Sequence, residues 1–355
     1  MDLSLFDYDL PADRIAQVPL PRRDASRMIV LREGRIEDRL FEDLPSLLGA
    51  DDLVVLNESR VFPARLRDGN REILFLRPVG DGPRWEALCR PARRFSPGRT
   101  LTMRGITVAV ERTVEGVGKR VLRIPEGLDL MVELERLGEP PLPPYILRDD
   151  DPLMRRMDLE RYQAIFAANT GSAAAPTAGL HFTEGMLARI RSTCRIAHLT
   201  LHVSNATFQP IRTRRIEEHR LEPEEYVIGE DVVREIERAR IRNGRVVAVG
   251  TTVVRALESA AAVGALEHGP GSASAYITPG YRFRVVDALL TNFHQPRSSL
   301  LVLVSAFAGI DSIRAAYGHA LGAGYRFLSY GDCMFVCRAD SRDLPAAHRD
   351  MSREV

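Results

Sequence analysis

The chain of 355 residues contains little lysine and little cysteine, and each shortage excludes a kind of chemistry. Lys119 is the only lysine, and it lies in a polar stretch, Gly116-Val117-Gly118-Lys119, so a catalytic lysine Schiff base is not expected. Four cysteines are too few for a disulfide scaffold in a chain of this length. Cys333 and Cys337 lie in an apolar, strand-like run, which favours buried core residues over metal ligands.

Long hydrophobic runs and an excess of one charge are also missing. The longest apolar stretch, Leu300 to Ile310, is too short to span a bilayer, and the N-terminal residues do not resemble a signal peptide. Lys and Arg total 49 against 48 for Asp and Glu, so a nucleic-acid site would have to be a local basic patch. With 45% hydrophobic residues, the chain is expected to be a folded, soluble, cytoplasmic protein of two domains.

The pattern of apolar runs changes twice along the chain. Strand-like runs at 27–31 and 53–56 mark the first part. Between 65 and 145, short strand candidates alternate with Gly and Pro turns, which predicts a small antiparallel β-barrel. We therefore predict a mixed α/β fold in which a discontinuous α/β domain, 1–64 and 146–355, carries an inserted β-barrel domain, 65–145.

Periodicity and turn residues also place individual elements. The predicted strands lie at 72–77, 85–90, 107–111, 119–124, 197–203, 245–249 and 300–304. The predicted helices lie at 128–137, 159–168, 183–193 and 231–242. The tail after Arg338 is polar and predicted to fray.

Polar clusters interrupt the apolar runs where strands are expected to end. Ligands of open α/β sheets bind beyond the carboxyl ends of the strands, so these clusters are candidate site segments. They begin at Asn57, Ala175, Leu201, Gly250, Thr291 and Ser329.

The cluster Gly250-Thr251-Thr252 has the clearest physical basis. A strand that leads through it into a helix directs backbone N–H groups and two hydroxyls to one place, which suits an anion or a ribose. Arg255 and Glu258 follow on one face of that helix. The alternative, that Thr251 only caps the helix, has equal weight on this segment alone.

Three histidines, His181, His202 and His294, lie beside apolar residues in similar contexts. A single such histidine is usually a core residue, but three together favour a shared site. A zinc site made by these three histidines is possible on composition, but the sequence has no HxH or HExxH spacing, so a metal site is the second choice. It also lacks the P-loop and GxGxxG fingerprints.

Arginines cluster in two stretches of the chain. Arginine binds phosphates and stacks on bases, so both stretches are candidates for contact with RNA. A solvated face without function explains them equally well until the two are shown to converge. The residues are Arg90, Arg93, Arg94 and Arg99, and then Arg212, Arg214 and Arg215.

Six segments, taken in order, resemble one known family. They are NxSRVFPARL from Asn57, PLPPYI from Pro141, AAPTAGLHF from Ala174, VAVGTT from Val247, DALLTNFH from Asp287 and YRFxSYGD from Tyr325. These motifs are similar to those of the S-adenosylmethionine:tRNA ribosyltransferase-isomerases of queuosine biosynthesis. The likeness runs from about Phe6 to Val336.

The resemblance implies an enzyme that transfers and isomerises the ribosyl part of S-adenosylmethionine onto 7-aminomethyl-7-deazaguanine at the wobble position of a tRNA. Epoxyqueuosine forms, and adenine and methionine leave. The resemblance also implies an α/β domain with an inserted β-barrel, S-adenosylmethionine as co-substrate, and no metal or other cofactor. A tRNA is the expected partner, no membrane is involved, and a monomer is expected because no heptad seam is evident.

That reaction requires a base for the acidified C5′ hydrogens, donors for the adenine and carboxylates facing the sulfonium. By motif position and chemistry, the predicted catalytic residues are His181, His202 and Asp332. The predicted substrate-binding residues are Asn57, Arg60, Glu72, Thr177, Gly179, Glu224, Thr251, Thr252, Arg255, Glu258, Asn292, His294 and Tyr330.

The chain departs from the family pattern in three places. Ser204 and Ala206 stand where the family has glycines, Glu222 stands where it has a histidine, and a Gly-Gly pair is missing near Gly69. Two alternatives therefore stay open. One is a paralogue that uses S-adenosylmethionine with a free nucleoside or small-molecule acceptor, and the other is a non-catalytic RNA-binding protein.

Overall fold

The computed structural model describes residues 1–115, 118–149, 151–204 and 210–338. Its strands are β1 (Arg27–Arg32), β2 (Arg35–Leu40), β3 (Leu53–Asn57), β4 (Ser59–Val61), β5 (Arg65–Asp68), β6 (Arg71–Pro78), β7 (Arg84–Arg90), β8 (Thr100–Met103), β9 (Ile106–Thr113), β10 (Lys119–Arg123), β11 (Asn169–Ser172), β12 (Arg195–Leu201), β13 (Glu224–Ile228), β14 (Val246–Val249), β15 (Gly269–Ala273), β16 (Ala288–Asn292) and β17 (Cys333–Cys337).

The α-helices are α1 (Leu130–Leu137), α2 (Pro152–Arg161), α3 (Glu184–Thr193), α4 (Glu230–Ile241), α5 (Thr251–Ala260), α6 (Ser299–Ala308) and α7 (Ile310–Gly322). Short 3-10 helices lie at Leu3–Phe6, Ala12–Arg14, Arg23–Ala25, Phe41–Leu47, Ala92–Arg94, Thr177–His181 and Ile216–Glu218.

A nine-stranded mixed sheet forms the centre of the α/β part, in the order β15-β13-β12-β3-β14-β16-β17-β1-β2. Strands β12, β3, β14 and β16 are parallel, and β17 is antiparallel to β16 but parallel to β1. Successive residues of β3 alternate between the two faces: Leu53 and Val55 pack in one core cluster, and Val54 and Leu56 in the other. The central strands are therefore buried on both faces, which explains their continuous apolar runs.

The second sheet has six antiparallel strands, in the order β5-β6-β7-β10-β9-β8, and curls until β5 meets β8. Phe62, Leu66 and Phe75 are among the residues that fill its interior. This barrel-like sheet within an α/β chain confirms the predicted fold class, whereas the exact domain boundaries stay a prediction. Its two connections to the rest of the chain lie side by side, since Arg65 and Glu139 exchange backbone hydrogen bonds of 3.2 and 2.8 Å.

Two predicted elements in the α/β part are wrong. Residues 300–304 lie in helix α6 and not in a strand: the Ser298 hydroxyl caps the helix at the N–H of Leu301, and burial on nearly all sides removes the helical period from its sequence. The helix predicted at 159–168 is α2, which begins earlier. Asp151 caps it, Pro152 occupies its first turn, and it ends at Arg161.

Lys119 also differs from the prediction, because it does not lie exposed in a turn. It begins β10, is 8% exposed, and pairs with Glu86 at 3.4 Å and with Glu222. Its charge is thus neutralised between the barrel-like sheet and the segment that precedes β13.

Within the described residues, no single helix is long and apolar enough to cross a membrane. Helices α6 and α7 reach that length and composition only as a pair, and they are bent by 114°.

Candidate active site

The carboxyl ends of the parallel strands meet at one edge of the nine-stranded sheet. Asn57 ends β3 and Asn292 ends β16 at this edge. Because β17 is antiparallel to β16 and parallel to β1, the first residues of both strands lie there too, with Cys333 paired to Asn292 and to Met28. The fold therefore brings together strand ends that the polar clusters marked in the sequence.

His181 is the centre of a buried chain of hydrogen bonds at this edge. It ends the 3-10 helix that Thr177 begins. Its Nδ1 lies 2.9 Å from the hydroxyl of Ser26, and its Nε2 lies 3.2 Å from the amide nitrogen of Asn292. Thr177 donates to the amide oxygen of Asn292 over 2.9 Å. The chain Ser26–His181–Asn292–Thr177 thus connects the start of β1, the 3-10 helix and the end of β16.

The amide of Asn292 determines which nitrogen of His181 carries the proton. The amide nitrogen also donates to the carbonyl of Leu328 over 3.3 Å, and a carbonyl can only accept. The Nε2 of His181 therefore accepts a hydrogen bond, and the proton of the neutral ring lies on Nδ1, facing Ser26.

The imidazole of His181 is neutral at pH 7. Burial is the main cause, and the positive charges of Arg23 and Arg326 add to it, so that the pKa of His181 is lowered to about 4. A neutral ring with its lone pair on Nε2 is a proton acceptor, which is the state that a general base requires.

Two clefts lie beside this hydrogen-bond chain, and Ser329 lines both. The first, which we call the polar cleft, has a volume of about 350 Å³, which includes open solvent at its entrance. Its lining includes Tyr145, Thr177, Asn292, His294, Gln295 and Ser298. The second, which we call the arginine cleft, is lined by residues that include Arg22, Arg23, Ser26, Arg161, His181 and Tyr330.

His294 lines the polar cleft and makes three hydrogen bonds. Its Nε2 lies 2.9 Å from the hydroxyl of Thr291, its backbone N–H donates to the Tyr317 oxygen over 2.9 Å, and its carbonyl accepts from Tyr8. Burial lowers the pKa of His294 to about 3, so the ring is neutral. Its role in substrate binding stays a prediction.

His202 lies past the end of β12 and is not among the residues that line the two clefts. Its Nδ1 lies 2.9 Å from the hydroxyl of Ser59, which in turn contacts Ser172 at 2.5 Å. The ring lies against Gly171, where a Cβ would come within 2.6 Å of it. Burial lowers the pKa of His202. The structure thus places His181, but not His202, in the lining of a cleft, and the catalytic role of each histidine stays a prediction.

Asn57, Thr251 and Thr252 connect strand ends to helix α5. Asn57 accepts from the N–H groups of Leu201 and Ser59 and donates to the carbonyl of Leu201 and, over 3.3 Å, to the Thr252 hydroxyl. These four bonds use the whole amide. The alternative that Thr251 caps α5 is wrong, because the N-cap is Gly250, with a φ of +94° that favours glycine.

Glu224 and Arg255 form a buried ion pair with each other. Glu224 also accepts from the N–H of Ser204 over 2.8 Å, and Arg255 donates to the carbonyl of Ala273 over 2.7 Å. The pair joins β13, β15 and α5. These contacts support a structural role, so neither residue is carried into the proposed site.

The carboxylate of Glu258 also accepts four hydrogen bonds from inside the protein. Its carboxylate accepts from the N–H groups of Arg284, Val285 and Val286 at 2.8 to 3.0 Å and from the Tyr281 hydroxyl at 3.3 Å. These bonds hold the segment that leads into β16, and thus indirectly position Asn292. A fully buried carboxylate with four donors is a structural anchor rather than an open binding group.

Asp332 and Tyr330 support the loop between α7 and β17. Asp332 is buried and accepts from the N–H groups of Arg27 and Arg326 over 2.9 and 2.8 Å; burial nevertheless raises its pKa. The Tyr330 hydroxyl donates to Asp158 over 2.9 Å, while the ring lines the arginine cleft. The predicted catalytic role of Asp332 stays a prediction, and its contacts are those of a loop anchor.

The remaining predicted substrate-binding residues differ in solvent exposure and in their contacts. Gly179 lies inside the 3-10 helix, where a Cβ would come within 2.9 Å of the Phe166 ring. Arg60 on β4 is exposed. Glu72 on β6 pairs with Arg65 at 3.8 Å and Arg90 at 4.0 Å.

The predicted RNA-binding arginines are all exposed, in two places. Arg90, Arg93, Arg94 and Arg99 lie on the barrel-like part, and Arg212, Arg214 and Arg215 lie near the first residues of the chain. Arg214 pairs with Asp2 at 3.4 Å, and Arg215 with Glu217 at 3.4 Å. Their convergence on one RNA surface stays a prediction.

The departures from the family pattern have partial structural explanations. Ser204 uses its N–H to bind Glu224, and Glu222 binds Lys119. Ala206 lies outside the described residues. No group of three His, Cys, Asp or Glu residues that could hold a metal ion occurs in the described part of the chain.

Several cleft residues were not predicted from the sequence. Ser26 is one, because a serine before a strand carries no signal of its own. Tyr145 and Ser329, whose side-chain oxygens lie 2.6 Å apart in the polar cleft, occur inside two of the six motif segments. Nothing in the sequence distinguishes Arg23 and Arg161 from the many other arginines of the chain.

The chain belongs to the family described as Queuosine biosynthesis protein, which it matches over residues 3–336. This confirms the family resemblance predicted from the six motif segments.

Individual relatives agree with this family. The chain is 48% identical to S-adenosylmethionine:tRNA ribosyltransferase-isomerases of Anaeromyxobacter sp. (strain Fw109-5) and Azoarcus sp. (strain BH72), over 96% of this chain and 100% and 99% of theirs. It is also similar to a solved S-adenosylmethionine tRNA ribosyltransferase from Thermotoga maritima. That likeness has 34% identity and a TM-score of 0.54, and it covers 94% of this chain and 100% of the solved one.

Replacement of Glu258 by Gln tests whether this carboxylate is structural. We expect the free energy of unfolding to fall by about 2–4 kcal/mol, because an amide NH2 group would face backbone donors in a buried place. Urea unfolding measures it, with Glu237→Gln on the exposed face of α4 as the matched control. Unchanged stability together with lost activity would instead support the predicted binding role.

Acid should destabilise the protein through His181 and His294. Both have native pKa values, about 4 and about 3, below that of an unfolded histidine, so the unfolded state binds more protons as the pH falls below about 6.5. Each is expected to cost about 2 kcal/mol of stability between pH 7 and pH 5. Urea unfolding at both pH values should show a smaller loss for His294→Gln than for the wild type.

The matched control is His268→Gln, at an exposed histidine, which should retain the full loss. An equal loss in His294→Gln and the wild type would show that this ring does not titrate on unfolding.

Proposed function

We propose that this chain catalyses the reaction for which its relatives are named: it transfers the ribosyl part of S-adenosylmethionine to a tRNA and isomerises it. The acceptor in this proposal is 7-aminomethyl-7-deazaguanine at the wobble position, and the products are epoxyqueuosine-tRNA, adenine and methionine. S-adenosylmethionine is a co-substrate, and the protein works as a cytoplasmic monomer. The single observation that carries the proposed site is the neutral, oriented His181, which lines the arginine cleft and is hydrogen-bonded to Asn292 in the lining of the polar cleft.

In the proposed reaction, His181 removes a proton from C5′ of S-adenosylmethionine. The adjacent sulfonium stabilises the electron pair left on C5′. Nε2 is the accepting atom, so the amide of Asn292 must give up its bond to this nitrogen when substrate enters. Ser26 keeps the other ring proton on Nδ1 and thus holds the required tautomer.

The two leaving groups, adenine and methionine, require different catalytic assistance. Adenine departs with the electron pair of its bond to the ribose as the sugar opens, and needs a proton or hydrogen-bond donors. The acceptor amine forms the new carbon–nitrogen bond and loses a proton. Methionine departs as a neutral thioether with the electrons of the carbon–sulfur bond when a sugar oxygen closes the epoxide on that carbon.

The hydroxyl of Ser329 lines the polar cleft and is the candidate donor to the ribose and the adenine. Thr177 and Ser298 line it too, but they donate to Asn292 and to the carbonyl of Gln295, so their oxygens are candidate acceptors. The polar cleft is therefore the proposed place of S-adenosylmethionine.

The defining experiment is incubation of the purified protein with S-adenosylmethionine and a tRNA that carries 7-aminomethyl-7-deazaguanine. Release of adenine that depends on the tRNA supports the proposal. Release with the free deazapurine nucleoside alone would indicate the paralogue with a small acceptor. RNA binding without any adenine release would indicate the non-catalytic RNA-binding protein.

Replacement of His181 by Ala should lower kcat at least about 100-fold, because general base catalysis contributes this much or more. Binding of S-adenosylmethionine, measured by calorimetry, should change little. His202→Ala, outside the two clefts, should have a smaller effect on kcat, and His268→Gln should have none. Normal turnover by a folded His181→Ala protein would remove His181 from the mechanism.

A further inference from the structure

Two guanidinium groups of the arginine cleft, those of Arg23 and Arg161, have no carboxylate partner, whereas the third lining arginine, Arg22, pairs with Asp24 at 3.1 Å and Glu42 at 3.3 Å. Arg23 donates to three backbone carbonyls, those of Gln163 at 3.0 Å, Leu180 at 3.2 Å and Glu160 at 3.0 Å. Arg161 donates only to carbonyls, those of Leu20 at 2.8 Å and Pro21 at 3.3 Å. Among the described residues, no carboxylate lies within 4.0 Å of either guanidinium.

Arg326 is not among the lining residues, but its charge acts on His181, which lines the cleft. It donates to the carbonyl of Val18, and its buried Nη1 has no hydrogen-bond partner among the described residues. Burial lowers the pKa of Arg326, and the charge of Asp332 opposes this only in part. The carboxylate of Asp332 accepts hydrogen bonds from backbone N–H groups. Burial and the charge of Arg161 lower the pKa of Arg23, as expected for cations that repel each other.

Several other buried or half-buried arginines of the chain pair with carboxylates. Arg148 pairs with Asp158 at 2.6 Å, Arg245 pairs with Asp52 at 2.6 Å, and Arg255 pairs with Glu224. Burial of a cation without a partner is costly, so such a group is retained where an anion completes the site. Arg120 is buried and also donates only to carbonyls, but Arg23 and Arg161 differ from it because they line a cleft.

We propose that the arginine cleft, with Arg23, Arg161 and Arg326, binds a backbone phosphate of the RNA next to the base that is modified. The inference rests on the proposed function and specifies which side of His181 the tRNA occupies. The phosphate lies in the arginine cleft, which His181 lines, and S-adenosylmethionine lies in the polar cleft, which Asn292 separates from the Nε2 of His181.

The charge of the two substrates favours phosphate as the ligand. S-adenosylmethionine carries a sulfonium and an ammonium against one carboxylate, so three clustered guanidinium groups repel it as a whole. An RNA is a polyanion and is attracted by the same cluster. Guanidinium also matches the geometry of phosphate oxygens through paired hydrogen bonds.

A phosphate in this cleft would also act on His181. Arg23 and Arg326 are the cations that help to lower the pKa of this histidine. An anion between them offsets their field and makes the imidazole a stronger base when the tRNA is bound. Proton removal from S-adenosylmethionine would thereby be favoured only with the acceptor in place.

Replacement of Arg161 by Gln tests the proposal. We expect the KM for tRNA to rise about tenfold, while the KM for S-adenosylmethionine stays within about twofold. The slope of log(kcat/KM) for tRNA against log salt should become shallower by about one, the value for one lost phosphate contact. Arg161→Lys, which keeps the charge, should recover part of the tRNA affinity, and Arg189→Gln on exposed α3 should match the wild type.

Three results would overturn the proposal. The first is an unchanged tRNA KM and salt slope in a folded Arg161→Gln protein. The second is a raised KM for S-adenosylmethionine that disappears with its decarboxylated analogue, because the cleft would then bind the methionyl carboxylate. The third is an equal effect of Arg161→Gln on a neutral-backbone analogue of the anticodon segment.

Direct binding separates this inference from the proposed function. Fluorescence anisotropy of labelled tRNA with the same variants reports on the arginine cleft even if no adenine is released. Should Arg161→Gln fail to fold, as shown by circular dichroism, Arg326→Gln repeats the test at the guanidinium with the unpartnered Nη1. If the folded variant releases adenine as the wild type does and binds tRNA with unaltered affinity, the arginine cleft is not the phosphate site. The proposed function is unaffected by that result.

Discussion

The orientation of one amide, that of Asn292, determines the chemistry available at this site. Its nitrogen is shared between the carbonyl of Leu328 and Nε2 of His181, and its oxygen accepts from Thr177. Rotation of the amide by half a turn would place oxygen against oxygen at Leu328, so the native orientation is strongly preferred. The histidine tautomer follows from it. Since Asn292 ends β16, the whole arrangement depends on the register of the central strands.

The fold was largely predictable because the apolar pattern of central strands and barrel strands is simple. Strands β3, β14 and β17 and helices α3 and α4 lie close to their predicted positions. The errors have physical causes. Helix α6 is buried on nearly all sides, so its sequence carries no helical period, and the short, arginine-rich β5 does not have the alternation of a half-buried strand.

The site was only partly predictable, because residue type and motif position do not reveal partners. Glu224, Arg255 and Glu258 have the right chemistry for ligands, but each is already bound inside the protein. Ser26 has no distinguishing sequence context, although its hydroxyl is the partner of the Nδ1 proton of His181. Only the three-dimensional pairing of donors and acceptors separates an anchor from a group that can meet a substrate.

Lys119 gives this chain an unusual chemical property. Amine-directed reagents have a single side-chain target here, and that target is buried between Glu86, on the barrel-like sheet, and Glu222, ahead of β13. Acylation of this one amine would therefore be slow while the two parts of the molecule stay together and faster when they separate. The rate of modification at Lys119 is thus a built-in reporter of motion between the barrel-like sheet and the α/β part.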